Sequence, residues 1–166
     1  MIKASDYIAS FVASIGVKDV FMVTGGGAMH LNDSLGTHPK LRYICCHHEQ
    51  ALAMAAEVYA RLNGFAVINV TTGPGGTNTL TGVLGAWLDS IPMLVISGQV
   101  RTQVMGSKIG GLRQLGIQEM NIVDVATPMT KYAVVVNDPY SIAYHLEKAV
   151  YLAKTGKPGP VWLDIP

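Results

Sequence analysis

Apolar positions along the chain alternate between runs with helical spacing and short continuous runs. Ile8, Phe11, Val12 and Ile15 recur on one helix face until Gly16, and residues 20–23 then form an apolar run of strand length. The glycines at 25–27 lead into a helix over 28–36, halted before Pro39, and a strand over 42–46. A long helix is predicted over 48–63, ended by Gly64, with the β-branched run 65–71 behind it. Gly73, Pro74, Gly75 and Gly76 read as a turn. Residues 77–91 then read as a helix with Leu80, Val83, Leu84, Trp87 and Ile91 on one face, and Pro92 separates it from a strand over 93–97. Residues 98–116 are glycine-rich and polar, too long for a simple connection, and read as a functional or mobile loop. A short helix near 118–125, a strand over 131–136, a helix over 139–155 and a last strand over 161–165 complete the pattern. The strands are apolar throughout and do not alternate. That pattern predicts an α/β fold: a doubly wound, mostly parallel six-stranded sheet with helices on both faces and right-handed crossovers.

Composition narrows the class. The 166 residues are 49% hydrophobic and 14% charged, against about 25% charged in an average soluble domain. A chain of this length forms one domain, here residues 1–166, that buries roughly 70% of its unfolded surface without metals or disulfides, so disorder is excluded. Twelve Lys and Arg against eleven Asp and Glu give a net charge of +1 with the signs interspersed. This offers no footprint for nucleic acid or for an anionic membrane. Ser5, Asp6, Ser10 and Ser14 interrupt the N-terminal apolar residues, so that segment reads as a helix and not a signal peptide. No stretch reaches the roughly 18 apolar residues of a membrane span, and a cytoplasmic location is expected. Cys45 and Cys46 are adjacent and poorly placed to close a loop, which makes them reduced strand residues. A surface this poor in charge implies cover by a partner subunit or by further domains, hence an oligomer.

In a doubly wound sheet, ligands meet the loops that follow the carboxyl ends of strands. Three such loops carry glycine or polar side chains: Thr24 to Gly27, His47 to Gln50, and Thr72 to Asn78. The first fails as a dinucleotide fingerprint, because His30 stands where its last glycine belongs. In the third, no Lys-Ser/Thr pair follows as a P-loop requires; by itself it reads as a tight capped turn or as an anion site at a helix start. Glu49 is the candidate acid. In the first turn of a helix a carboxylate gains some tenths of a kcal/mol from the macrodipole. Ala51, Leu52, Ala53, Met54, Ala55, Ala56, Val58, Tyr59 and Ala60 make this helix apolar nearly all round, however, so burial on several sides is expected. A carboxylate so placed either holds its proton unusually well or requires a specific donor, which is how acid–base sites are built. His47 and His48 lack partners at metal-ligand spacing and read as hydrogen-bonding or capping residues. Glu57 and Arg61 fit an i,i+4 helix pair.

Taken together, GGAMHLNDSL at 26–35, HHEQALAMAAEVYAR at 47–61, TTGPGGTNTLTGVLGAWLDSIPMLVISGQV at 71–100 and GKPGPVWLDIP at 156–166 resemble the N-terminal pyrimidine-binding domain of thiamine-diphosphate-dependent enzymes. The resemblance covers nearly the whole chain and is closest to the acetolactate (acetohydroxyacid) synthase-like group. It implies that Glu49 hydrogen-bonds a ring nitrogen of the cofactor's aminopyrimidine. The imino tautomer so favoured carries the exocyclic nitrogen that deprotonates the thiazolium carbon, which then attacks a 2-keto acid such as pyruvate. By the same resemblance Gly25 and Gly26 lie beside the reacting centre, and Thr72, Pro74, Gly75 and Asn78 belong to the loop that approaches the cofactor. Gln118 lies near the substrate end, with Glu49 and Gln118 as the catalytic pair.

Thiamine diphosphate is the implied cofactor. Its diphosphate and Mg²⁺ would be held by a separate diphosphate-binding domain, whose G-D-G and N-N pattern is absent from these residues, as is a central domain able to bind FAD. The chain would then be half of an active site, inactive alone, in a homodimer or tetramer formed through the pyrimidine-binding domain. Leu31 stands where the acetolactate synthase pattern usually has proline, Ile117 where it has an aromatic residue, and the connection from Val100 to Gly116 is longer. These departures bear on substrate and acceptor, leaving a related decarboxylase or carboligase as one alternative. A non-catalytic assembly module of the same fold is the other, and a flavodoxin-like nucleotide binder has only the fold in its favour.

Overall fold

The computed structural model describes residues 2–166, apart from the side chains of residues 107 and 108; Met1, the first residue of the predicted N-terminal helical segment, lies outside them. Helix α1 (Ala4–Ser14) leads to β1 (Asp19–Met22), α2 (Met29–Thr37), β2 (Arg42–Cys45), α3 (Glu49–Asn63) and β3 (Ala66–Val70). Then come α4 (Pro74–Asn78), α5 (Leu80–Leu88), β4 (Met93–Gly98), α6 (Gly106–Ile109), α7 (Ile122–Ala126), β5 (Tyr132–Val135), α8 (Ile142–Lys154) and β6 (Val161–Ile165). The sheet is six-stranded in the order β2-β1-β3-β4-β6-β5, and every pairing is parallel. The expected doubly wound α/β fold is therefore present.

Successive strand residues serve opposite cores, as a period of two requires. Val67, Leu94 and Leu163 pack with Ile8 of α1, Leu35 of α2 and Leu146 of α8. Ile68, Val95 and Trp162 pack with Leu52 and Ala56 of α3, Val83 of α5 and Ile122 of α7. The central strands β1, β3, β4 and β6 are apolar because both of their faces are covered. Strand β2 differs: at the edge of the sheet, it leaves Arg42, Tyr43 and Cys45 exposed. Cys45 and Cys46 are free thiols.

Three local expectations are corrected. The Gly-Pro-Gly-Gly segment is not a turn preceding a helix; it is the first turn of a helix, with Pro74 at its start and Gly73 (φ 57°) as its cap, and the helix breaks at Thr79 before α5. Proline at the first helical position loses only an N–H that has no intrahelical partner. The helix expected near 118–125 begins at Ile122: Gln118 takes φ 59°, and Asn121, with φ −78° and ψ 79°, also stands outside the helical region. Helix α3 is not buried all round. Leu52, Ala53, Ala56, Glu57 and Ala60 are buried, whereas Ala51, Met54, Ala55 and Val58 are exposed and Leu62 keeps 81% of its surface. A single chain supplies only one neighbour layer, so the outer side of an all-apolar helix stays open to solvent. Leu84, Trp87 and Leu88 of the adjoining α5 are exposed as well. Among the described residues, no helix is long and apolar enough to cross a membrane.

Candidate active site

Between β1 and β3 the strand order reverses. The chain leaves β1 towards β2 and leaves β3 towards β4, which opens a crevice at the carboxyl edge of the sheet. Two loops face each other there. Thr71, just past β3, stands between the glycines of both: a Cβ on Gly25 would lie 2.5 Å from Thr71 Cβ, and one on Gly75 2.7 Å from its Cγ2. Thr71 Oγ1 also accepts a hydrogen bond from the Gly27 N–H at 3.0 Å. Only glycine lets these backbones close on one threonine. Asn32 Nδ2 donates to the Gly25 carbonyl at 3.3 Å, and Asn32 Oδ1 accepts from the buried Asn69 at 2.7 Å, which steadies the first loop from below. Around Gly26 the space is open.

Glu49 enters this crevice from the head of α3. His48 caps that helix, with Nδ1 accepting from the Gln50 N–H at 3.1 Å, as expected of a capping histidine. Glu49 is half-buried, and its Oε2 accepts from Asn78 Nδ2 at 3.0 Å. A specific donor is therefore present. The other oxygen, Oε1, accepts no hydrogen bond among the described residues and faces Gly75, whose absent Cβ would lie 3.7 Å away. One anchored carboxylate oxygen and one open one, beside bare backbone at Gly26 and Gly75, fit a flat nitrogen-bearing ring. The i,i+4 pair is also present: Arg61 Nε donates to Glu57 Oε1 at 2.6 Å, and the guanidinium pairs with Asp89 as well.

The remaining candidates divide. Pro74 and Asn78 are exposed at the mouth, and Gly75 is buried beneath it. Thr72 is buried, and its hydroxyl donates to Gln99 Oε1 at 2.7 Å, so its polar group turns into the fold while Thr71 serves the crevice. Gln118 is brought to the site through its backbone: its carbonyl oxygen would lie 2.0 Å from a Cβ on Gly73, where only glycine permits the approach.

Sequence reasoning missed the group behind these loops. Glu119 gathers the preceding loop, with Oε1 accepting from the Gly106 N–H (2.6 Å) and Oε2 from those of Leu115 (3.0 Å) and Gly116 (3.1 Å). Asp164 lies at the carboxyl end of β6 and is 1% exposed. It accepts from Ser97 Oγ (2.5 Å) and Gln99 Nε2 (2.9 Å), while Trp162 Nε1 donates to Ser97 Oγ (2.8 Å). Burial pushes its carboxyl up to about 6, against the lowering effect of those two hydrogen bonds. The one available signal was the isolated acid in a run of apolar strand residues, VWLDI. Among the described residues, no group of three or more His, Cys, Asp or Glu is placed to hold a metal ion.

A doubly wound parallel sheet with an anchored acid over a glycine-lined crevice at its carboxyl edge defines a cofactor-binding α/β domain. The family model for the thiamine pyrophosphate enzyme, N-terminal TPP binding domain, matches residues 2–125, and the chain belongs to that family. It is 36% identical to the acetolactate synthase large subunit of Haemophilus influenzae, over 99% of this chain and 28% of that protein. It is 36% identical to the acetolactate synthase isozyme 3 large subunit of Escherichia coli, over 100% of this chain and 28% of that one. For the chloroplastic acetolactate synthase 2 of Nicotiana tabacum the figures are 38%, 99% and 24%. The chain thus spans about a quarter of the length of these relatives.

Proposed function

We propose that this domain binds the aminopyrimidine part of thiamine diphosphate and forms half of an active site for decarboxylation and carboligation of a 2-keto acid such as pyruvate. The observation that carries the reading is the geometry of Glu49, with Oε2 tied to Asn78 and Oε1 open over the glycine crevice, in a chain of this family. When bound, thiamine diphosphate supplies the electron sink for the bond cleavage. The protein's part is to hold Glu49 Oε1 against a ring nitrogen, share a proton with it, and exclude water. Asn78 fixes the carboxylate rotamer, Gly25, Gly26 and Gly75 let the ring approach the backbone, and Gln118 borders the substrate end.

A diphosphate-binding domain would complete the site and hold Mg²⁺, and FAD would belong to another part of the complete enzyme. The apolar outer face of α3 and α5 supports assembly as a homodimer or tetramer through this domain, and a cytoplasmic location is proposed with it. In the complete protein, Glu49→Gln is expected to lower turnover by about 100-fold or more while leaving the melting temperature unchanged. Unchanged turnover would remove Glu49 from the chemistry. In a calorimetric titration of the isolated chain with thiamine diphosphate and Mg²⁺, weak binding is expected, and tight binding by a monomer would contradict the half-site.

A further inference from the structure

We propose that Gln99 is a positioning residue whose side-chain amide, backed by Asp164, locks the Gln118 loop against the Gly73 turn and so sets substrate preference. The inference rests on the function proposed above and adds the residue that shapes its substrate end.

A glutamine amide has two N–H donors and two acceptor lone pairs. In Gln99 all four are used, each by a different part of the site. Oε1 accepts from Thr72 Oγ1 (2.7 Å), beside the Gly73 cap, and from the Val100 N–H (2.9 Å), where the long loop departs. Nε2 donates to the Met120 carbonyl (2.9 Å), two residues past Gln118, and to Asp164 Oδ2 (2.9 Å) on β6. The junction is buried, with Gln99 6% exposed and Asp164 1%. Buried hydrogen bonds of this kind are costly to leave unmade, so the amide holds its partners in one arrangement.

The loop it holds is compact in itself. Glu119 accepts from the backbone N–H groups of Gly106, Leu115 and Gly116, which pins the start of this loop to its end. Gln99 ties this loop to the glycine turn at the point where the Gln118 carbonyl meets Gly73. Gln99 and Asp164 also line a cavity of about 380 Å³ whose other walls include Met105, Glu119 and Met120, at the two ends of that loop. A shift of the loop therefore alters both the cavity and the exposed pair Ile117 and Gln118.

The test uses the complete protein and the ratio of kcat/KM for pyruvate to that for a 2-keto acid one methylene longer. Gln99→Glu keeps the shape of the side chain but presents a carboxylate to the Met120 carbonyl and to Asp164. It is expected to change the ratio by about fivefold or more and to lower kcat/KM for pyruvate about tenfold, while thiamine diphosphate affinity stays within about threefold. Thr72→Val removes one hydroxyl from the same junction and is expected to move the ratio in the same direction. If Gln99→Glu does not fold, Thr72→Val decides alone. An unmoved ratio in the folded variants overturns the proposal, as does a fall in cofactor affinity parallel to that in kcat/KM. If the wild-type protein binds no thiamine diphosphate, the functional reading fails first. If it binds and turns over while the variants keep the wild-type ratio, only this inference falls.

Discussion

Replacing Asp164 by asparagine isolates the cost of one buried carboxyl. Burial raises the folded-state value from 3.8 to about 6, so between those limits the folded chain binds more protons than the unfolded chain. The sign follows: Asp164's contribution to stability is fully present below about pH 4 and is lost as pH rises through 6. A shift of about two units is worth about 3 kcal/mol at roughly 1.4 kcal/mol per unit. Asparagine carries no such charge. Its Oδ1 can accept from Gln99, and its Nδ2 can donate to Ser97 Oγ, which already accepts from Trp162. Urea unfolding of both chains at several pH values, followed by the fluorescence of the fully buried Trp162, gives the difference in stability between them. Every other titrating group cancels in that difference. It is expected to move in favour of the variant by about 2.5 kcal/mol between pH 4 and pH 8, or roughly 5–10 °C in melting temperature for a domain of this size. A difference that stays flat to within about 0.5 kcal/mol over that range would show that Asp164 ionises without penalty and would refute the reasoning.

Asn78→Ala frees Glu49 Oε2 at an exposed position; turnover of the complete protein is expected to fall about tenfold, less than for Glu49→Gln, with stability changed by under about 0.5 kcal/mol in urea. Gly73→Ala forces a side chain onto φ 57° and to within 2.0 Å of the Gln118 carbonyl oxygen. Unfolding titrations should record a loss of about 2 kcal/mol or more, with hydrogen exchange accelerated first at 116–120. Val58→Asp charges the exposed face of α3; sedimentation of the complete protein should show dissociation towards monomer, while the isolated chain keeps its stability to within about 0.5 kcal/mol.

Much of the fold is legible along the chain because burial leaves a local trace. Runs such as MLVISG and VWLDI are mostly apolar since both faces of a central strand are covered, and glycine or proline marks the element ends. Glu49 stands out by the same logic, as an acid heading an apolar helix. Thr71 does not, since a threonine beside a strand end is ordinary until Gly25, Gly27 and Gly75 are folded around it. The φ of 59° at Gln118 also escapes the pattern, because its carbonyl meets Gly73, 45 residues away in the chain, and local preference does not favour it.

The order of elements, the parallel sheet, the capped helix that bears Glu49 and the glycine turns are written in the sequence, because periodicity and turn chemistry act between near neighbours. Tertiary structure alone decided that Thr72 meets Gln99 across 27 residues and that Gln99 meets Asp164 across 65. It alone showed that the outer side of α3 stays open in the single chain. Those outcomes depend on strand order, which sets loops far apart in the chain side by side at one edge of the sheet.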